Sequence, residues 1–209
     1  MKMNIQNAYN NWADTYDEDK NLTRDLDKIV TEENLGKLHF KTILEIGCGT
    51  GKNTALFSQI AEKVFSVDFS EEMISKAKEK IKADNVTFLA ADIIKKWPDE
   101  IPSVDLVTCN LILEHIEDLD FIFNEASKKL QAGGNFYISE LHPFRQYQGK
   151  KARFEREGET THINAFIHNI SDFLNAADKN NFKLLKLKEW WHKEDENKFP
   201  RLITFKFEK

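Results

Sequence analysis

Short apolar runs alternate along the chain with segments whose apolar residues recur at helical spacing. The apolar or β-branched runs predict strands at 42–46, 64–68, 86–90, 104–109, 135–140, 183–187 and 202–207. Helical spacing predicts helices over 52–60, 70–82, 118–130 and 171–179, with Ser70 as the N-cap of the second. Strands that alternate with helices in this way are typical of a mainly parallel sheet covered by helices on both faces.

The order of the predicted elements gives the sheet its expected outline. Gly133 and Gly134 predict a stop and turn before the strand at 135–140. The last two strands have no helix between them, so we expect an antiparallel hairpin at one edge of a doubly wound, mainly parallel, seven-stranded α/β sheet. Trp190 and Trp191 are adjacent, so they should point to opposite faces of a strand, and core packing is expected for both.

Composition excludes several classes of protein. The chain has 209 residues and a formal net charge of −5, with 41% hydrophobic residues, which suits one globular domain and disfavours a general nucleic-acid binder. No apolar run approaches the roughly 20 residues that span a bilayer, and the first residues do not resemble a secretory leader. Two cysteines, Cys48 and Cys109, predict neither a disulfide framework nor a metal site. We therefore expect a cytoplasmic protein without a membrane segment.

A glycine-rich stretch at a predicted strand-to-helix junction carries the chemistry. Residues 44–51 read Leu-Glu-Ile-Gly-Cys-Gly-Thr-Gly, and glycines there let backbone N–H groups approach a ligand in front of a helix N-terminus. A dinucleotide fingerprint would need its third glycine where this chain has Lys52. Gly-x-Gly-x-Gly preceded by the acid Glu45 instead resembles motif I of the class I S-adenosylmethionine-dependent methyltransferases, small-molecule type.

The resemblance continues at the ends of the later strands. Asp68 ends the second predicted strand, where an acid would accept hydrogen bonds from ribose hydroxyls. Asp92 and Ile93 follow the third strand and resemble the family's adenine-contacting segment. Residues 110–116, Asn-Leu-Ile-Leu-Glu-His-Ile, resemble the stretch that lines the methionine end of the cofactor. Residues 9–17 are similar to a Tyr–Trp–Tyr pattern whose helical cap closes over it.

The resemblance implies a Rossmann-like methyltransferase fold, a cofactor and a set of residues that bind it. The cofactor would be S-adenosyl-L-methionine and the product S-adenosyl-L-homocysteine. A single domain over 1–209 would comprise an N-terminal helical cap (1–40), a cofactor-binding core (41–140), a substrate-region insertion (141–168) and a C-terminal helix with strands (169–209). The expected cofactor-binding residues are Tyr16, Glu45, Gly47, Cys48, Gly49, Asp68, Phe69, Met73, Asp92, Ile93, Asn110, Leu111 and His115.

Methyl transfer from a sulfonium releases a neutral thioether, so no general acid is required. A general base is needed only if the acceptor must lose a proton, and the sequence does not assign one. The candidate catalytic residues are His142, Arg145 and His115. For His142 the alternative is a structural histidine before Pro143, and His115 either lines the cofactor site or is buried and bonded to backbone. No metal is expected.

Residues 141–168 combine aromatic with basic side chains. The C-terminal part of the chain is also the more basic: residues 141–209 contain 14 Lys+Arg and 10 Asp+Glu, whereas residues 1–140 contain 16 Lys+Arg and 25 Asp+Glu. This mixture suits either a flat, anionic acceptor or a solvated basic surface. The residues concerned are Phe144, Arg145, Tyr147, Lys150, Lys151, Arg153, Phe154, Arg156 and Phe166.

These features predict methyl transfer to an oxygen, nitrogen or carbon atom of a small organic acceptor that is anionic or aromatic. We expect the protein to be a monomer or homodimer and to have no nucleic-acid or membrane partner. The Asn/Asp-Pro-Pro-Tyr/Phe motif of enzymes that methylate base amino groups or glutamine amides is replaced at 110–113 by Asn-Leu-Ile-Leu. The alternatives are a nicotinamide-dependent oxidoreductase and a non-catalytic S-adenosylmethionine-binding protein.

Overall fold

A computed structural model describes residues 5–13, 15–18, 20–149, 153–156, 159–162, 165–196 and 198–209. The helices are α1 (Ile5–Trp12), α2 (Leu22–Leu35), α3 (Thr54–Ile60), α4 (Glu71–Lys80), α5 (Leu119–Lys129), α6 (Pro143–Tyr147) and α7 (Ile170–Lys179). The strands are β1 (Phe40–Ile46), β2 (Ala61–Asp68), β3 (Val86–Ala90), β4 (Val104–Asn110), β5 (Leu130–Leu141), β6 (Arg153–Arg156), β7 (Glu159–His162), β8 (Lys183–Trp190) and β9 (Leu202–Glu208).

Seven strands form one sheet in the order β3-β2-β1-β4-β5-β9-β8. The first five are parallel to their neighbours, whereas β9 is antiparallel to both β5 and β8. The predicted doubly wound sheet and its C-terminal antiparallel hairpin are therefore confirmed. Segment 141–168 is not wholly irregular, since it contains α6 and the separate two-stranded pair β6–β7.

The carboxyl-terminal halves of β1 and β2 and most of β4 are buried on both faces, as their continuous apolar runs predict. Along β1, Leu44 packs into a cluster with residues of α5 and α7, while its neighbour Ile43 packs on the opposite face with residues of α2 and α3. The helix predicted at 70–82 begins as expected, because Ser70 Oγ accepts from Met73 N at 3.1 Å, but it ends at Lys80.

The prediction of a turn at Gly133 and Gly134 is wrong. β5 continues through both glycines from Leu130 to Leu141, and its pairing with β4 jumps from Val104–Leu130 to Leu106–Asn135. The chain therefore advances five residues on β5 against two on β4, which is a bulge, and Gly133 absorbs it with a φ of +75°.

Only one of the two adjacent tryptophans joins the core. Trp190 ends β8 and is buried with Leu26, Val30 and Leu202. Trp191 is 48% exposed, so the prediction of core packing for both residues is wrong. Among the helices of the described residues, none is long and apolar enough to cross a membrane.

Candidate functional site

The carboxyl ends of the central strands open into a cavity of about 440 Å³, within the size range of small-molecule sites. It lies where the strand order reverses, between β1 and β4, which is the usual ligand position in open α/β sheets. Every residue that we predicted to bind the cofactor lines this one cavity: Tyr16, Glu45, Gly47, Cys48, Gly49, Asp68, Phe69, Met73, Asp92, Ile93, Asn110, Leu111 and His115.

The glycine loop bends tightly out of β1. The backbone nitrogens of Gly47 and Cys48 both donate to the carbonyl of Val67, at 2.8 and 3.0 Å. Gly47 has φ +72°, and a Cβ there would lie 2.3 Å from Cγ2 of Ile112. Gly49 has φ +52°, and a Cβ there would meet no atom within 4 Å. Gly47 thus allows close packing of the loop against Ile112, whereas the loop at Gly49 borders open space.

Asp68 couples the end of β2 to this loop. Its Oδ2 accepts from the backbone nitrogen of Gly49 at 2.8 Å, and its Oδ1 accepts from that of Ser70 at 2.9 Å. Burial raises the pKa of Asp68, although the backbone hydrogen bonds oppose that shift. A carboxylate has about four lone-pair sites, so Asp68 retains capacity for a further donor.

Glu45 and Cys48 are buried beneath the cavity. Oε2 of Glu45 accepts from Thr54 Oγ1 at 2.6 Å and from Ser66 Oγ at 2.8 Å. Burial is the main cause that raises the pKa of Glu45 to about 7. Burial also raises the pKa of the Cys48 thiol well above its usual value, so the thiolate needed for redox chemistry is disfavoured.

Aromatic residues of the N-terminal segment lie over the cavity. The Tyr9 hydroxyl is 2.8 Å from Nε2 of His115, and its ring packs edge-on against the rings of His115 and Phe69. The Trp12 and Tyr16 ring centroids are 4.7 Å apart. One hydrogen bond links this segment directly to the glycine loop, because Asp17 Oδ1 accepts from Thr50 Oγ1 at 2.7 Å.

The structure places His142 outside the cavity. Its side chain is fully buried, Nε2 lies 2.8 Å from Oε1 of Glu189, and Nδ1 accepts from the backbone nitrogen of Phe144 at 3.2 Å. Burial lowers the pKa of His142, although Glu189 opposes the shift. Both ring nitrogens are engaged in a structural contact, so the interpretation of His142 as a general base is not supported.

Arg145 likewise lies outside the cavity. Its guanidinium is buried, pairs with Asp195 Oδ1 at 2.9 Å, and donates to the carbonyls of Phe199 and Pro200. The predicted grip of Arg145 on a substrate anion is therefore not supported. Phe144 and Tyr147 are exposed away from the cavity. Lys150 and Lys151, and the side chains of Arg153, Phe154 and Arg156, lie outside the described residues.

We expect Arg145→Ala to destabilise the fold, since it leaves Asp195 buried without one of its cationic partners. Because Arg201 still pairs with Asp195, we expect a loss below the roughly 3–5 kcal/mol of a buried charge left without any partner, measured as the free energy of unfolding in urea. Lys179→Ala, which removes an exposed partner of Asp120, should change little and is the control. An Arg145→Ala variant as stable as the wild type would contradict this structural role.

Sequence reasoning missed several lining residues. Arg24 and Lys28 on α2, together with Asn53, line the same cavity. Lys52 lines it too, although the sequence marked that position only as lacking a glycine. The local signal on α2 is an ordinary amphipathic helix, which does not reveal that its polar residues reach the glycine loop.

This sheet order, with its ligand cavity at the strand reversal, defines a Rossmann-like methyltransferase fold. Residues 44–138, from β1 through most of β5, match the family model described as "Methyltransferase domain". This segment, a little under half of the chain, is therefore similar to the methyltransferase domain of that family.

Curated relatives and solved structures show the same similarity. The chain is 29% identical over 137 residues to malonyl-[acyl-carrier protein] O-methyltransferase 2 of Coxiella burnetii, covering 64% of this chain and 55% of that protein. It is 34% identical over 126 residues to phosphoethanolamine N-methyltransferase 1 of Triticum aestivum, covering 56% and 25%. The chain thus spans about half the length of the first and a quarter of the second. The DhpI–SAH complex superposes with a TM-score of 0.75 at 20% identity, over 97% of this chain and 93% of that one, which shows a shared fold.

Proposed function

We propose that the protein transfers a methyl group from S-adenosylmethionine to a small organic acceptor. The observation that carries the proposal is the convergence of every expected cofactor residue on one cavity at the strand reversal. The match of residues 44–138 to a methyltransferase domain supports it.

The residues present fit this cofactor. At Gly49 the loop offers its backbone beside space that a Cβ would fill. The Asp68 carboxylate would hold the ribose hydroxyls, Asp92 would accept from the adenine amine, and Ile93 would pack on the ring. Asn110 and Leu111 would line the methionine end. When bound, the cofactor supplies a methyl group on a positively charged sulfur that leaves as a neutral thioether.

The chain's own contribution to the reaction is mainly orientation. Tyr9, Tyr16 and Phe69 wall the cavity, so they would exclude water and keep the acceptor facing the methyl group. Holding two reactants at attack geometry can lower a barrier by roughly 7–11 kcal/mol. This contribution of orientation requires no general acid and applies to any acceptor that fits the cavity.

Of the three catalytic candidates, His115 is the one that lines the cavity, which supports its role. The tautomer protonated at Nδ1 allows Nε2 to accept from the Tyr9 hydroxyl 2.8 Å away. Nε2 is then the atom that would take a proton from an acceptor hydroxyl or ammonium, directly or through the Tyr9 oxygen. The Tyr9 contact also holds the imidazole toward the cavity.

The finer proposal is an anionic acceptor. Malonyl and phosphoethanolamine, the groups in the names of the two relatives, both carry an anion. Arg145 pairs with Asp195 instead, whereas Arg24 and Lys28 line the cavity from α2. These two cations would attract a carboxylate or phosphate to the cavity.

Calorimetry and a transfer assay test the proposal. We expect S-adenosylmethionine and S-adenosylhomocysteine to bind the purified chain and NADH and NADPH not to bind. Methyl transfer from labelled cofactor to a panel of small carboxylates, phosphate esters and neutral amines should favour the anions. If neither sulfur compound binds, the proposal fails. Binding with no turnover on any acceptor would favour the non-catalytic alternative.

Asp68→Ala should weaken S-adenosylmethionine binding. The loss of hydrogen bonds to a charged group predicts a dissociation constant about 10- to 100-fold higher, measured by calorimetry. Asp105→Ala is the control, because that carboxylate also accepts from a backbone nitrogen, Thr42 N, but does so at the far end of the sheet. Equal affinity in wild type and Asp68→Ala would refute the ribose assignment.

A further inference from the structure

The carboxylate of Asp27, on α2, is buried between the segment that follows the glycine loop and the end of β4. Asp27 has no exposed surface. Its Oδ2 accepts from Lys52 Nζ at 2.7 Å and from Asn53 Nδ2 at 3.0 Å. Its Oδ1 accepts from Asn110 Nδ2 at 2.8 Å. Lys52 and Asn53 follow the glycine loop and Asn110 ends β4, so a single side chain links the two segments.

Asp27 is held in its ionised form. Burial by itself would raise the pKa of Asp27, but the Lys52 ammonium and the hydrogen bonds to the carboxylate outweigh it and keep the pKa below its usual value. Lys52 Nζ also donates to the backbone carbonyl of Arg24 at 3.2 Å. The ammonium is therefore tied to α2 at two points.

The ionised carboxylate fixes the direction of the Asn110 amide. The amide nitrogen donates to Asp27 Oδ1 and also to Thr31 Oγ1 at 2.9 Å. A carboxylate only accepts hydrogen bonds, so the nitrogen must face Asp27 and the oxygen must point elsewhere. That oxygen is buried and has no donor among the described residues, although Asn110 lines the cavity. A buried oxygen of this kind favours binding of a donor.

We infer that Asp27 is a positioning residue of the cofactor site, which holds the glycine loop against the end of β4 and orients the Asn110 oxygen to accept from a bound ligand. Lys52 provides the counter-charge that keeps this carboxylate ionised in the interior. The inference rests on the proposed function, because the ligand is the methyl donor. Asp27 would affect affinity through Asn110 and the loop, not by contact with the reacting atoms.

Asp27→Asn is the principal test. An asparagine turns an NH₂ group toward at least one of the three groups that now donate to the carboxylate, and it removes the negative charge opposite the Lys52 ammonium. We expect the dissociation constant for S-adenosylmethionine, measured by calorimetry well below the melting temperature, to rise about 10- to 100-fold.

Asp195→Asn is the matched control. Asp195 is also a buried acid paired with cations, Arg145 and Arg201, but it lies outside the cavity. Its loss should lower the melting temperature while the affinity for S-adenosylmethionine stays at the wild-type value. A merely structural Asp27 would behave in the same way.

Thr31→Val tests the orientation of the amide in a milder variant that removes no charge. Thr31 is buried and does not line the cavity, and its loss should raise the dissociation constant about 2- to 10-fold. The inference is overturned if Asp27→Asn binds as tightly as the wild type, or if Asp27→Asn does not fold and Thr31→Val binds normally. A wild-type protein that binds no S-adenosylmethionine would instead refute the proposed function.

Discussion

Gly49→Val is expected to abolish S-adenosylmethionine binding while the protein remains folded. Gly49 has φ +52°, a conformation that a β-branched residue rarely adopts. Its added side chain would meet no protein atom within 4 Å and would instead enter the space beside the loop that we assign to the cofactor. We therefore expect the valine side chain to occupy space that the cofactor needs, and calorimetry should detect no binding.

Gly133→Val separates this effect from backbone strain. Gly133 has φ +75°, and a Cβ there also meets nothing within 4 Å, but it lies in the β5 bulge away from the cavity. Both variants should lose stability, since a residue held in a sparsely populated conformation costs about 1–3 kcal/mol. Only Gly49→Val should lose binding. If it binds S-adenosylmethionine normally, the glycine loop is a turn without a role in the site.

His115→Asn is expected to lower kcat by about 10²- to 10⁴-fold, the usual contribution of a general base. The prediction applies to an acceptor that must lose a proton, so the measurement is methyl transfer to an amine or hydroxyl acceptor that the wild type methylates, at saturating cofactor. Tyr9→Phe should lower kcat less, because it removes the hydroxyl next to Nε2 but keeps the imidazole. The dissociation constant of the cofactor should change far less than kcat in both variants.

His168→Asn is the control for this experiment. His168 contacts the backbone carbonyl of Ile116, one residue after His115, and it does not line the cavity. Its replacement should leave kcat close to the wild-type value. A loss of less than tenfold in His115→Asn would show that the reaction proceeds without a base at this position, and that orientation alone accounts for the rate.

The elements that sequence reasoning placed well are those with local signals. Apolar runs marked the seven strands, and the Ser70 hydroxyl capped its helix where predicted. Most of the residues expected to bind the cofactor line one cavity because they lie at or just after strand ends, and parallel strands bring their carboxyl ends to one edge. Gly133 was misread because a glycine pair is typical of a turn, whereas the register against β4 made it a bulge.

Two of the three catalytic candidates, His142 and Arg145, failed for a different reason. His142 comes directly after β5, yet its partner Glu189 lies 47 residues later on β8. Arg145 pairs with Asp195, which follows β8. The hairpin β8–β9 brings both acids beside the end of β5, and neither pairing leaves a trace in the local pattern.

The sequence by itself determined the fold class, the position of the glycine loop and most of the residues that line the cavity. These features depend on hydrophobic periodicity, turn-forming residues and strand ends, which are all properties of residues close together in the chain. Only the tertiary structure decided which polar side chains remain available to a ligand. Asp27 reads as one more acid on a helix, but folding buries it against Lys52 and Asn110. A buried charge must find its partners wherever the chain brings them, and those partners lie 25 and 83 residues away.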